Sequence, residues 1–81
     1  MSKATFSFEY IRLREILLNA RDSKNITQAE LARLLNKPQS YISKYENGEK
    51  MLNVIEFINV CNALGIEAEK IIQELRTLKD V

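Results

Sequence analysis

The chain contains no histidine and a single cysteine, Cys61. One thiol cannot close an internal disulfide, which fits a reducing compartment. Without a Cys/His cluster a structural zinc site has no ligands, so no metal is expected. The longest apolar run is far too short to span a membrane. The opening Met-Ser-Lys-Ala-Thr lacks the long apolar core of a secretion signal, so the expectation is a cytoplasmic protein. There is no glycine-rich phosphate loop and no acid pair set to work across a pocket. Nothing therefore points to an enzyme, a cofactor or a small-molecule ligand. Glycine occurs twice and proline once, and few segments alternate as strands do.

What is present is helical. Within 81 residues, 46% are hydrophobic, enough for one small core. Charged residues make up 28%, yet the net charge is only +1. That balance excludes a polybasic binder but leaves room for a local basic face. Residues 24 to 50 hold five Lys/Arg and three Asp/Glu, a local +2, whereas residues 66 to 81 hold three and four.

Apolar residues recur at intervals of three and four, the helical period. Residues 1–7 read as a poorly ordered N-terminal arm, and residues 8–79 as one domain of five helices. Helix 1 covers about 8–23, with Tyr10, Leu13, Leu17 and Ala20 on one stripe and Ile16 beside it. Asn25 tolerates the left-handed conformation that ends helices. Helix 2 covers about 28–35. Thr27 and Glu30 form a capping box, and Leu31, Ala32, Leu34 and Leu35 supply the buried side. Helix 3 covers about 38–46, with Pro38 in the first turn and Gly48 just past the end. Helix 4 covers about 54–64. Asn53 and Glu56 repeat the capping box, Val54, Phe57, Ile58, Cys61 and Leu64 form the stripe, and Gly65 is the stop. Helix 5 covers about 67–78.

The polar segment "NKPQSYISKYENGEK" (36–50) is the unusual one. On a helical wheel Pro38, Ile42 and Tyr45 share one side. Gln39, Ser40, Ser43, Lys44 and Asn47 share the other, which carries no acid. Such a row of donors and acceptors suits the DNA major groove: Gln pairs with adenine, and Lys donates to guanine. A solvated face with no partner is the plain alternative, and for a lone helix it would be preferred.

The surroundings change that weighting. Helix 2, a tight turn and helix 3 have the spacing of a helix-turn-helix. The run "ITQAELARLLNKPQSYISKYENGEK", followed by "NVIEFINVCNALGI", resembles the Cro and phage-repressor (Xre-like) helix-turn-helix proteins over about residues 10–75. The resemblance implies an all-α, compact five-helix bundle of the lambda-repressor-like type and a sequence-specific binder of double-stranded DNA. Carried over by position, Gln39, Ser40, Ser43 and Lys44 read bases or line the groove. Gln28, Asn47 and Lys50 grip phosphates. Tyr41 either packs against helix 2 or joins the phosphate contacts. Arg21 and Glu46 match an ion pair tying helix 1 to helix 3. Asn25 departs from the pattern, which has glycine before helix 2. Cys61, on the buried stripe, reads as core, and Arg33 and Lys37 as surface charges.

One recognition helix reads few base pairs, and relatives commonly pair. Helix 5 offers Ala68, Ile71, Ile72, Leu75 and Leu78, and helix 4 adds Ile55 and Val60 off its stripe. These are the candidate homodimer surface, unless they complete the monomer core. The resulting expectation is a repressor acting as a homodimer on a palindromic operator. The competing one is an antitoxin or anti-repressor whose apolar helix 5 binds another protein.

Overall fold

The computed structural model describes residues 7–78. Its five helices are α1 (Phe8–Ser23), α2 (Gln28–Leu35), α3 (Gln39–Glu46), α4 (Val54–Leu64) and α5 (Ala68–Leu78). Residues 1–6 of the expected arm and Lys79 lie outside the described residues. Ser7 belongs to the first helix, because its hydroxyl accepts the Tyr10 N–H at 3.1 Å and caps α1.

Local chemistry explains the boundaries. The Thr27–Glu30 and Asn53–Glu56 pairs each form a complete capping box. Side chain and backbone satisfy each other's free groups at both helix starts. Asn25 (φ 59°) and Asn36 (φ 61°) sit in the left-handed region. Their short polar side chains tolerate it, so the turn before α2 closes without glycine. Pro38 stands one place earlier than expected. It is the N-cap of α3, extended at ψ 155°, and exposed rather than packed with Ile42 and Tyr45.

The core joins all five helices. Leu17, Leu31, Ile42, Tyr45 and Val60 are fully buried, with Tyr10, Leu13, Phe57, Leu64 and Ile71 around them. Cys61 is 1% exposed, and burial pushes its thiol up to about 11, so it stays a neutral core group. The observed packing corrects the reading of α4. Val60 lies in the core, whereas Val54 and Ile58, expected inside, are 64% and 40% exposed. The helix is apolar on nearly every side, so periodicity alone did not fix its orientation. Leu34 of α2 also faces out, at 61%.

Candidate nucleic-acid interface

α3 is held by its Ile42/Tyr45 side and presents the opposite one. Gln39, Ser40, Lys44 and Asn47 are exposed, and Ser43 is half-buried among them. No side chain caps its N-terminus and no acid occupies its first turn. Free N–H groups there favour an approaching anion.

One edge of this face is braced by a continuous polar chain. Gln39 Nε2 donates to Gln28 Oε1 at 3.2 Å, and Gln28 Nε2 donates to Glu46 Oε1 at 2.8 Å. Arg21 grips both oxygens of Glu46, through Nε at 2.7 Å and Nη2 at 3.1 Å. The two side chains are only 13% and 6% exposed. The bidentate carboxylate also raises the Arg21 pKa. Arg21 Nη1 donates to the Ile26 carbonyl at 2.7 Å, so the same residue anchors the turn leading to α2. Thus α1, α2 and α3 meet at one buried ion pair, and Gln28 and Gln39 act as a unit.

The other edge is built around Tyr41. Its half-buried ring meets Tyr45 edge-on, with centroids 6.2 Å apart. Burial, with Glu56 beside it, pushes the Tyr41 phenol up to about 12. Lys37 Nζ lies 5.2 Å and Lys50 Nζ 5.5 Å from the ring centre, close enough for cation–π attraction. Asn47 turns its Oδ1 to the Glu49 N–H and its Nδ2 to the Glu49 carboxylate, at 3.0 and 3.2 Å.

Two residues of α1 hold the loop after α3. The Tyr10 hydroxyl accepts the Leu52 N–H at 2.9 Å and donates to the Lys50 carbonyl at 3.4 Å. Arg14 Nη1 donates to the Glu46 carbonyl at 3.2 Å. The same guanidinium fills the space at Gly48, where a Cβ would lie 2.9 Å from Nη1. With φ at +90°, that position admits only glycine without strain. Sequence reading missed the positioning roles of Tyr10 and Arg14. Their partners lie 32 to 42 residues away, so no local pattern announces them.

The helix-turn-helix fold is shared with known proteins. A family profile described as "Helix-turn-helix" matches residues 17–71. An XRE-family like protein from Pseudomonas syringae pv. tomato str. DC3000 superposes with a TM-score of 0.83 at 41% identity, covering 86% of this chain and 85% of that one. The chain belongs to the XRE family of helix-turn-helix DNA-binding regulators. Two structures of the restriction–modification controller protein C.Esp1396I share the fold, both at a TM-score of 0.76. A point mutant is 21% identical, covering 88% of this chain and 90% of its own. The tetramer with its natural 35 base-pair operator is 22% identical, covering 88% and 93%. No curated protein matches the chain.

In a helix-turn-helix the second helix is the one that lies in the major groove, and α3 is the second helix of the α2–α3 unit. Among the described residues no helix is long and apolar enough to cross a membrane, and no group of His, Cys, Asp or Glu is set to hold a metal ion.

The expected dimer surface needs revision. Val60 is 0% and Ile71 6% exposed, so both complete the monomer core. Ala68 and Leu75 pack partly against that core, and Leu78 is half-buried. Ile55 (62%) and Ile72 (44%) remain outside. On α4 an exposed apolar stripe runs through Val54, Ile55 and Ile58, whereas α5 exposes Ile72.

Proposed function

We propose that this regulator is a repressor that binds a palindromic operator as a homodimer. The observation that carries the reading is the acid-free face of α3, held rigid by the Arg21–Glu46 pair and the Gln28–Gln39 chain. Gln39, Ser40, Ser43 and Lys44 reach base edges in the major groove. Gln28, Tyr41, Asn47 and Lys50 contact the flanking phosphates and set the register. The C.Esp1396I tetramer on its operator supports self-association on DNA as a mode open to this fold.

The second copy packs on the outer stripe of α4. Val54, Ile55, Ile58, Asn59 and Asn62 are exposed and carry no charge, so two copies meet there without like-charge repulsion. Selection of bound duplexes from a random pool tests the reading. The expected product is an inverted repeat whose half-site centres lie about one helical turn apart. A single asymmetric half-site, with a monomer in sedimentation at tens of micromolar with or without that DNA, would sink the dimer. The same uncharged aliphatic stripe favours a second reading, in which α4 docks a different protein as an antitoxin or anti-repressor does. Sedimentation as a monomer is the result that would promote it.

A further inference from the structure

The Tyr41 edge of α3 contains an anion of its own. Lys50 Nζ reaches both oxygens of the Glu56 carboxylate at 3.2 Å. That carboxylate also accepts the Asn53 N–H at 2.9 Å, and the Tyr41 hydroxyl lies beside it. One carboxylate therefore gathers an ammonium, a backbone N–H at a helix start and a phenol. This is the donor set that a DNA phosphate takes up at a protein surface. The side chains of Lys50 and Glu56 remain 34% and 21% exposed, so a duplex approaches them without any rearrangement of the fold.

Resting on the DNA-binding reading, we propose that Glu56 is a built-in competitor for backbone phosphate. It keeps Lys50 and Tyr41 oriented beside α3, and it sets the sequence-independent affinity below what those donors would otherwise give. A duplex that engages Lys50 must first exchange the carboxylate for a phosphate. The Lys50–Glu56 attraction is then lost, and Glu56 is left close to a like charge. The cost falls on every sequence alike, because phosphate contacts carry no base information. Glu56 is a positioning residue in this scheme, and Lys50 is the group that touches DNA.

The substitution Glu56→Gln isolates the charge. Glutamine retains the capping-box acceptor, so α4 keeps its start and the melting temperature changes little. Affinity for operator and for unrelated duplex is expected to rise together, by about two- to fivefold, the scale of a partly exposed ion pair. Because Lys50 already meets phosphate in the parent, the slope of log K against log salt steepens by less than the roughly 0.9 of a whole added contact. In the double variant Lys50→Ala/Glu56→Gln both gains disappear. Unchanged affinity and slope in E56Q, with the parent binding normally, would overturn the proposal and leave the DNA-binding reading standing. A gain confined to operator, or one that survives removal of Lys50, overturns it as well. A parent protein with no affinity for any duplex at low salt overturns both.

Discussion

The two edges of α3 carry similar chemistry under different conditions. On one, Arg21 and Glu46 form a bidentate pair almost shut off from water, and Gln28 and Gln39 extend it to the recognition face. On the other, Lys50 and Glu56 meet where both remain in contact with solvent. Salt screens exposed charges and leaves buried pairs largely untouched. The first edge can therefore fix where the proposed base-reading side chains sit, over a wide range of salt. The second can exchange partners, which a contact to DNA requires. In the proposed mode of binding, geometry and affinity fall to opposite sides of one short helix.

Removing the buried acid is the severest way to break this contrast. Glu46→Ala leaves the Arg21 guanidinium unpaired and takes away the acceptor that orients Gln28. A pair this buried costs about 3 kcal/mol to break, because the remaining charge stays desolvated. In a domain this size the melting temperature should fall by more than about 12 °C. Lys50→Ala should cost less than about 1 kcal/mol. Thermal unfolding of the two variants compares the edges directly. Equal losses would mean that the Arg21–Glu46 pair behaves as a surface pair and that α3 is braced by its core side alone.

The face between the edges gives a smaller, more specific effect. Gln39→Ala and Lys44→Ala should each cost about 1–3 kcal/mol of binding to the selected operator. Binding to unrelated DNA should change little, and thermal stability hardly at all, since both side chains are exposed. Titrations against matched and scrambled duplexes measure the difference. If both variants bind operator as the parent does, this face does not read bases. If Gln39→Ala weakens every sequence alike, its partner Gln28 is working as part of the phosphate grip.

Helix starts and stops were legible because they depend on neighbouring residues. Thr27 with Glu30, Asn53 with Glu56, and the left-handed Asn25 and Gly65 are local solutions to free backbone groups. The outer face of α3 was legible for a related reason: polar residues without an acid stand out against the Ile42/Tyr45 side. The orientation of α4 was not. With Val54, Ile55, Ile58 and Val60 all β-branched and apolar, only the surfaces of α1, α2 and α5 decide which face is covered. Those surfaces are tertiary information. The positioning roles of Tyr10 and Arg14 were invisible for the same reason, as they lie in reaching a loop far along the chain.

The smallest expected effect concerns pH and distinguishes backbone from side-chain partners. Glu30 and Glu56 both titrate below the ordinary carboxylate range. The Thr27 N–H is the main cause for Glu30, and the Asn53 N–H for Glu56, with Lys50 contributing further. A depressed carboxylate favours the folded state when ionised. Its contribution is complete above the unfolded value of about 4.3 and is lost as pH falls through the lower folded values. The melting temperature should thus be flat from neutrality to about pH 5 and then decline. Glu30→Gln and Glu56→Gln should each flatten that decline, and added salt should shrink the part due to Glu56 more than the part due to Glu30, since Lys50 both hydrogen-bonds and attracts Glu56 whereas the exposed Arg33 is the smallest contribution to Glu30. A double variant with the parent's acid profile would place the lost protons elsewhere. A Glu56 contribution indifferent to salt would mean that Lys50 is not held by that carboxylate, which removes the feature that makes the outer edge exchangeable.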